Sequence, residues 1–265
     1  MAAIGQAFES GSTARVLDLH SDPDHHRAVF TIAGAPGALA EALQAGAREV
    51  IERIDLTRHE GVHPRVGAMD VAPVVYLSDA TRGAACAEAL VAADLLGELG
   101  LPVYLYGTLA GGRSRAELRR EGGRQLARIK PDAGPRDRHP TAGAVLVGAR
   151  PPLVAFNVEL EARATLDDAK RIAAEIREGG ADGLPGVRAI GLELRHQDLV
   201  QVSTNVEDHT LTSPRAVVAA IAARSGVRGA ELVALAPAAA FADFPDDVPL
   251  RGLRTIESAL ELLDS

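Results

Sequence analysis

The chain has 265 residues, enough for one large domain or two modest ones that each bury a core. Hydrophobic residues make up 47% and aromatics only 3%, with no Trp, so the core is built from Ala, Val, Leu and Ile, and base-stacking platforms for nucleic acid are not expected. A formal net charge of -8 argues against a phosphate-backbone partner in the same way.

No apolar run approaches the ~20 residues of a membrane span. No basic stretch leads into an apolar one at the N-terminus, so no secretion signal is expected. The one cysteine, Cys86, lies in an alanine-rich helical pattern and is expected as buried filler. With no intrachain disulfide possible, the cytoplasm is the default location.

In chain order, the first ten residues read as the end of an amphipathic helix stopped at Gly11. Arg15 to His20 and Ala28 to Ala33 read as strands around a polar loop, SDPDHHR. A turn at Pro36 and Gly37 leads into a helix, and the run from Arg58 to Asp70 is a loop. The strand VAPVVYL follows, then a helix from Thr81 to Leu99 and a short buried strand, Val103 to Tyr106. Gly111 to Arg128 is basic and partly helical, and Pro131 to Gly143 is a loop dense in Pro, Gly and charge.

Beyond Arg150 the periodicity is plainer. Leu153 to Leu160 alternates as a strand, and Thr165 to Glu178 is a helix with Thr165 at the N-cap and Asp168 at N3. Val187 to Leu194 and Leu199 to Asn205 are strands joined by the turn RHQD. Ser213 to Arg224 is a helix with Pro at N1, and Glu231 to Leu235 a last strand before a loop and a terminal helix. The order β-α-β-β-α-β is the ferredoxin-like split βαβ unit, so the expected class is α+β, two αβ-sandwich subdomains divided as 1–149 and 150–265.

The run RHEGVHPRVGAMDVAP, residues 58–73, concentrates histidines, charges, glycines and prolines. His59 to His63 is formally H-E-x-x-H. In zinc proteases that pair shares one helix face, so that both histidines reach the metal. Here Gly61 lies between them and Pro64 follows His63, and a residue before proline is pushed out of the helical region. The zinc reading is therefore set aside, although His20, His25 and His26 cluster in another loop. Six of the eight histidines fall before residue 140, in polar loops at 20–26, 59–63 and 139. Such loops can converge at one sheet edge.

The run H-x-G-x-H-P-R-x-G-A-x-D-V-x-P, His59 to Pro73, resembles the glutamate formimidoyltransferases, the formiminotransferase domain of formiminotransferase-cyclodeaminase. Segments 17–34, 101–107, 131–135, 148–160 and 189–209 agree in the same order, so the likeness covers roughly residues 15 to 240. The resemblance implies transfer of a formimino group from N-formimino-L-glutamate to N5 of tetrahydrofolate. It makes His63 the catalytic general base, a role suited to a side chain that titrates near neutrality. It implies tetrahydrofolate as co-substrate, no metal, a cleft between the subdomains as the site, and a cytoplasmic homodimer.

The family's folate-binding loop falls on Gly134, Pro135, Arg136, Asp137, Arg138, His139, Pro140, Thr141, Ala142 and Gly143. Its arginines can grip carboxylates with two prongs, or merely face solvent. Arg27 and Arg65 lie in matching motifs, and one of them is expected to bind a substrate carboxylate. Asp70 either orients His63 or pairs with an arginine. Asp22 and Asp24 stabilise a cationic amidine or shape their Asx-rich turn. Asn205 has a packing or capping role as an equal alternative.

Family members open with a strand and loop like E-C-V-P-N-F-S-E-G-R. The resemblance therefore implies that this chain begins inside the helix that follows, without that first strand, and without a fused cyclodeaminase. Two other readings stand beside the transfer of formimino. One is formyl transfer between 5-formyltetrahydrofolate and glutamate or a related amine; the other is a non-catalytic folate-binding homologue.

Overall fold

A computed structural model describes every residue except 24–25, 60–64, 195 and 265, with residues 120–122 and 264 described in backbone only. The chain divides into two compact units. Residues Met1–Leu17 and Ile32–Pro151 form the first, and Asp18–Thr31 and Pro152–Ser265 form the second.

In the first unit, helix α1 (Ala2–Glu9) buries Ile4 and Phe8 and packs on α2 (Ala38–Arg53). Helix α3 (Arg82–Glu98) packs beside α2 and onto a parallel sheet. That sheet has the order β3 (Val71–Val75), β5 (Val145–Arg150), β4 (Val103–Leu105). Glu88 of α3 is buried and accepts the N–H groups of Gly37 at 2.6 Å and Ala40 at 2.7 Å. A carboxylate there satisfies donors that the first turn of α2 leaves open and opposes the positive end of its dipole.

The central strand, β5, is absent from the elements read from sequence. Its side chains are buried on both faces, so no alternation marks it. Gly148 interrupts it because a Cβ there would lie 2.8 Å from the Tyr106 ring. Val103, Val145 and Val147 face the α2–α3 side. Tyr104, Tyr106 and Leu146 face a second cluster with Leu118 and Leu126. Those two leucines come from the basic stretch, which is a single turn, α4 (Arg115–Leu118), followed by 3-10 structure over Arg120–Arg128.

Strands β1 (Arg15–Asp22) and β2 (Arg27–Ala33) pair as a two-stranded sheet whose distal part belongs to the second unit. Asp18 there pairs with Arg254.

The second unit is ferredoxin-like. Strands β6 (Val154–Leu160), β7 (Val187–Leu194), β8 (Leu199–Val206) and β9 (Val227–Val233) lie in the order β9-β6-β8-β7, all antiparallel. A short β10 (Leu250–Arg251), not read from sequence, adds to β9 in parallel. Helices α5 (Leu166–Ile176) and α6 (Pro214–Ala222) cover one face, burying Phe156, Val158, Ile172, Val202 and Ile221. Each such side chain contributes about 1.5–3 kcal/mol.

The capping box expected at Thr165 is present. Its hydroxyl accepts the Asp168 N–H at 3.2 Å, and the Asp168 carboxylate accepts the Thr165 N–H at 3.0 Å. Ser213 caps α6 with Pro214 at N1. Cys86 is only partly buried, against the α2–α3 core. The last helix, α7, spans Ile256–Asp264.

Candidate functional site

Residues 60–64, and with them Glu60, His63 and Pro64, lie outside the described residues. What the structure gives is the chain on either side of them. A short 3-10 turn, Leu56–Arg58, is capped by Asp55, whose carboxylate accepts from the Thr57 hydroxyl at 2.7 Å and its N–H at 2.9 Å. Those bonds hold the Asp55 carboxyl below its ordinary value. Arg65 reaches across the run, its guanidinium donating to the His59 carbonyl at 2.9 Å. The two flanks of residues 60–64 are thus joined by one side chain.

Val66, 1% exposed, anchors the C-terminal flank. Its N–H donates to Asp70 Oδ1 at 2.6 Å. Its carbonyl accepts the Ala144 N–H at 3.1 Å and the Arg138 guanidinium at 2.6 Å. The second oxygen of Asp70 pairs with Arg119. Of the two roles open to Asp70 in sequence, pairing with an arginine is present, while His63, the partner in the other, lies outside the described residues. Arg119 itself was not among the sequence candidates.

The 134–143 loop is tied to both flanks. Leu56 N–H donates to the Thr141 carbonyl at 2.8 Å, and Ala68 N–H to the Ala142 carbonyl at 2.9 Å. Gly67 and Gly143 form a bridge. Within the loop, His139 and Gly143 exchange backbone bonds of 2.9 and 3.0 Å. Ala142 N–H donates to His139 Nδ1 at 3.1 Å, which requires a lone pair on that nitrogen. The ring of His139 therefore shapes the loop. Pro135, Arg136, Asp137 and Pro140 are exposed, Thr141 is half-buried and Ala142 is buried. Gly134 opens the loop at φ +76°, where a Cβ would lie 2.2 Å from the Leu101 carbonyl oxygen.

The first unit thus brings together Arg65, Asp70 and residues 134–143. Arg27 belongs to the second unit, at the start of β2. Asp22 is buried at the end of β1, and Asp24 and His25 lie outside the described residues. Asn205 sits on β8, opposite Ala155 and Arg188.

Cationic and phenolic groups surround the frame. The Tyr104 hydroxyl donates to the Leu126 carbonyl at 3.1 Å, and burial raises its pKa, with Arg138 and Arg113 opposing. Tyr106 is 5% exposed, with the Arg115 guanidinium 5.7 Å above its ring. Arginines at 65, 119 and 138 are engaged by protein groups, whereas Arg136 is exposed, so the loop still offers a carboxylate-binding cation. A cavity of about 550 Å³ in this unit is lined by residues 11–13, 35–38 and 41, apart from every candidate residue.

Among the described residues, no group of three or more His, Cys, Asp or Glu side chains is placed to hold a metal. Among the same residues, no helix is long and apolar enough to cross a membrane.

Comparison with known proteins bears on both halves. Residues 1–150 match the family described as "Formiminotransferase domain, N-terminal subdomain", and residues 155–246 match "Formiminotransferase domain". The chain is 38% identical to a glutamate formimidoyltransferase of Streptococcus pyogenes, over 86% of this chain and 81% of that protein. It is 35% identical to a glutamate formimidoyltransferase of Thermoplasma acidophilum, over 91% and 84% of the two chains. A formimidoyltransferase-cyclodeaminase of Gallus gallus is 36% identical over 91% of this chain, which spans 48% of that longer protein.

Proposed function

The chain belongs to the formiminotransferase domain family, and from that premise we propose that it transfers the formimino group of N-formimino-L-glutamate to N5 of tetrahydrofolate, giving 5-formiminotetrahydrofolate and L-glutamate. The observation that carries the reading is the match of both halves, together with identity to monofunctional glutamate formimidoyltransferases along more than four-fifths of each partner. The chain is accordingly a folate-dependent transferase.

In this reading, residues 1–149 carry the catalytic loop and 150–265 form the second subdomain. His63 is the general base. It takes the proton that N5 loses on bonding to the formimino carbon, and delivers it to the glutamate nitrogen as the old carbon–nitrogen bond breaks. Proton number is conserved through the cycle, so no external acid is consumed. A histidine suits both directions because its ordinary pKa lies near neutrality.

The frame around residues 60–64 supports this role for the loop, since a base must be held within hydrogen-bond reach of its proton. The ties to residues 134–143 support that segment as the folate-binding loop, with exposed Arg136 available for the glutamate tail of the folate. Assembly as a homodimer in the cytoplasm is part of the same reading. A single cysteine suits a reducing compartment, and light scattering on purified protein measures the assembly.

The His63→Ala protein is expected to fold as the wild type and to lose about 10²-fold or more in kcat, with a smaller loss for His59→Ala. Retained transfer in His63→Ala removes the histidine from its role. Running 5-formyltetrahydrofolate with glutamate in parallel separates formyl from formimino transfer.

A further inference from the structure

In the first unit, helix α3 carries its charges in an order that an outer helix facing water does not call for. Between Gly83 and Ala93 the only charged residue is Glu88, and it is buried against the start of α2. The opposite face presents Gly83, Ala84, Ala87, Leu90 and Val91, all exposed, the last two at 45% and 52%. Its neighbour α2 shows the usual arrangement, with Glu41, Arg48, Glu52 and Arg53 exposed. A helix that is apolar all round belongs in an interior, with every face covered. An exposed apolar face rimmed by charge marks a contact with another protein surface.

The rim of this face is also ordered. Arg82 opens α3, and Asp94 and Glu98 lie in its last two turns, with no acid in the first turn and no base in the last. All three are exposed. A helix is partly positive at its N-terminal end and partly negative at its C-terminal end, so each of these charges opposes the dipole of its own helix. Beside a second, antiparallel α3 each becomes favourable. Overlap along all 17 residues sets Arg82 and the first turn of each helix beside Glu98 of the other. The two-fold axis then falls at Leu90, so Leu90 and Val91 meet their own counterparts. Ala84 and Ala87 allow the two helices a close approach. A two-fold contact requires such a patch, in which residue i meets j and j meets i.

We propose that the outer face of α3 docks on the same face of a second copy of this chain, the two helices antiparallel about Leu90. This gives the homodimer of the reading above its contact surface, rests on that reading only for the expectation of two copies, and leaves its transfer chemistry untouched.

The test is sedimentation equilibrium on the intact chain over a range of concentrations. The proteins are wild type, Leu90→Glu, Arg82→Glu, Glu98→Arg, and Arg82→Glu combined with Glu98→Arg. Wild type is expected to dimerise. Leu90→Glu weakens association about 10²-fold, since it sets two carboxylates against each other at the centre of an apolar contact. Each reversal at an end weakens it about tenfold, and the combined variant restores it. Restoration reports a contact between copies, because the two ends of one such helix are about 24 Å apart and cannot bond to each other. In dilute solution, where the chain is monomeric, the thermal midpoint of each single reversal stays level or rises, since both new charges suit the dipole of α3.

A wild-type dimer unmoved by these changes overturns the proposed surface and leaves the homodimer to another face. A combined variant that associates no better than the single reversals overturns the antiparallel pairing. A fall in the dilute midpoint of either single reversal overturns it too, because that charge would then be bonded within its own chain. Wild type that stays monomeric at every concentration overturns both the surface and the homodimer, whereas absence of formimino transfer from a chain that dimerises through α3 overturns the transferase reading alone.

Discussion

The ion pair between Asp70 and Arg119 is expected to hold the C-terminal flank of the candidate loop, and Asp70→Asn tests it. One carboxylate oxygen accepts the Val66 N–H at 2.6 Å and the other pairs with Arg119. The two side chains are 22% and 20% exposed, so solvent weakens the pair without abolishing it. A hydrogen bond to a charged group contributes about 1.5–3 kcal/mol when shielded, and a fully exposed ion pair about 1 kcal/mol or less. Asn keeps an acceptor toward Val66 but loses the charge and can turn an amide N–H₂ toward the guanidinium. The expected loss is about 2 kcal/mol, lying between those limits. Urea unfolding followed by circular dichroism measures it, and a double-mutant cycle with Arg119→Met isolates a coupling of about 1–2 kcal/mol. A coupling below about 0.5 kcal/mol, within the additivity error of distant sites, refutes the reasoning.

Gly134→Ala forces a side chain into a left-handed backbone at φ +76° and drives its Cβ to 2.2 Å from the Leu101 carbonyl oxygen. It is expected to cost about 2 kcal/mol or more in the same unfolding assay and to weaken folate binding; a neutral result contradicts the loop geometry. Acid is expected to destabilise the second unit in a defined window. Asp168, bonded by Thr165, and Asp208, bonded by Thr210, lie below their ordinary value of 3.8, and Glu175, bonded by Arg224, lies below 4.5. The unfolded chain therefore binds these protons more readily, and stability rises with pH across the interval. Their contribution is complete above the ordinary values and is lost as pH falls through the lowered folded values. The thermal midpoint is expected to be level above about pH 5 and to fall below about pH 4, and a midpoint indifferent to acid would contradict this.

Much of the second unit was legible because its local signals agree. Thr165 with Asp168 and Ser213 with Pro214 mark helix starts, and both caps are present. Alternation through β6 and β8 then fixes which face meets the helices. The first unit hid more. Its central strand, β5, is buried on both faces and interrupted by Gly148, a position explained only by the Tyr106 ring above it. The frame of the candidate loop was half visible. Arg65, Asp70 and Arg138 fall in recognisable motifs, but Arg119 lies 49 residues from its partner, in a stretch with no motif.

The most direct test of the central claim is formimino transfer by the purified chain. Protein is mixed with formiminoglutamate and tetrahydrofolate, the mixture is acidified, and the absorbance of methenyltetrahydrofolate is read. The expected result is signal well above a blank without enzyme, reduced about 10²-fold or more in His63→Ala. Absence of signal from protein that is folded and binds tetrahydrofolate would contradict the assignment of this activity to the chain.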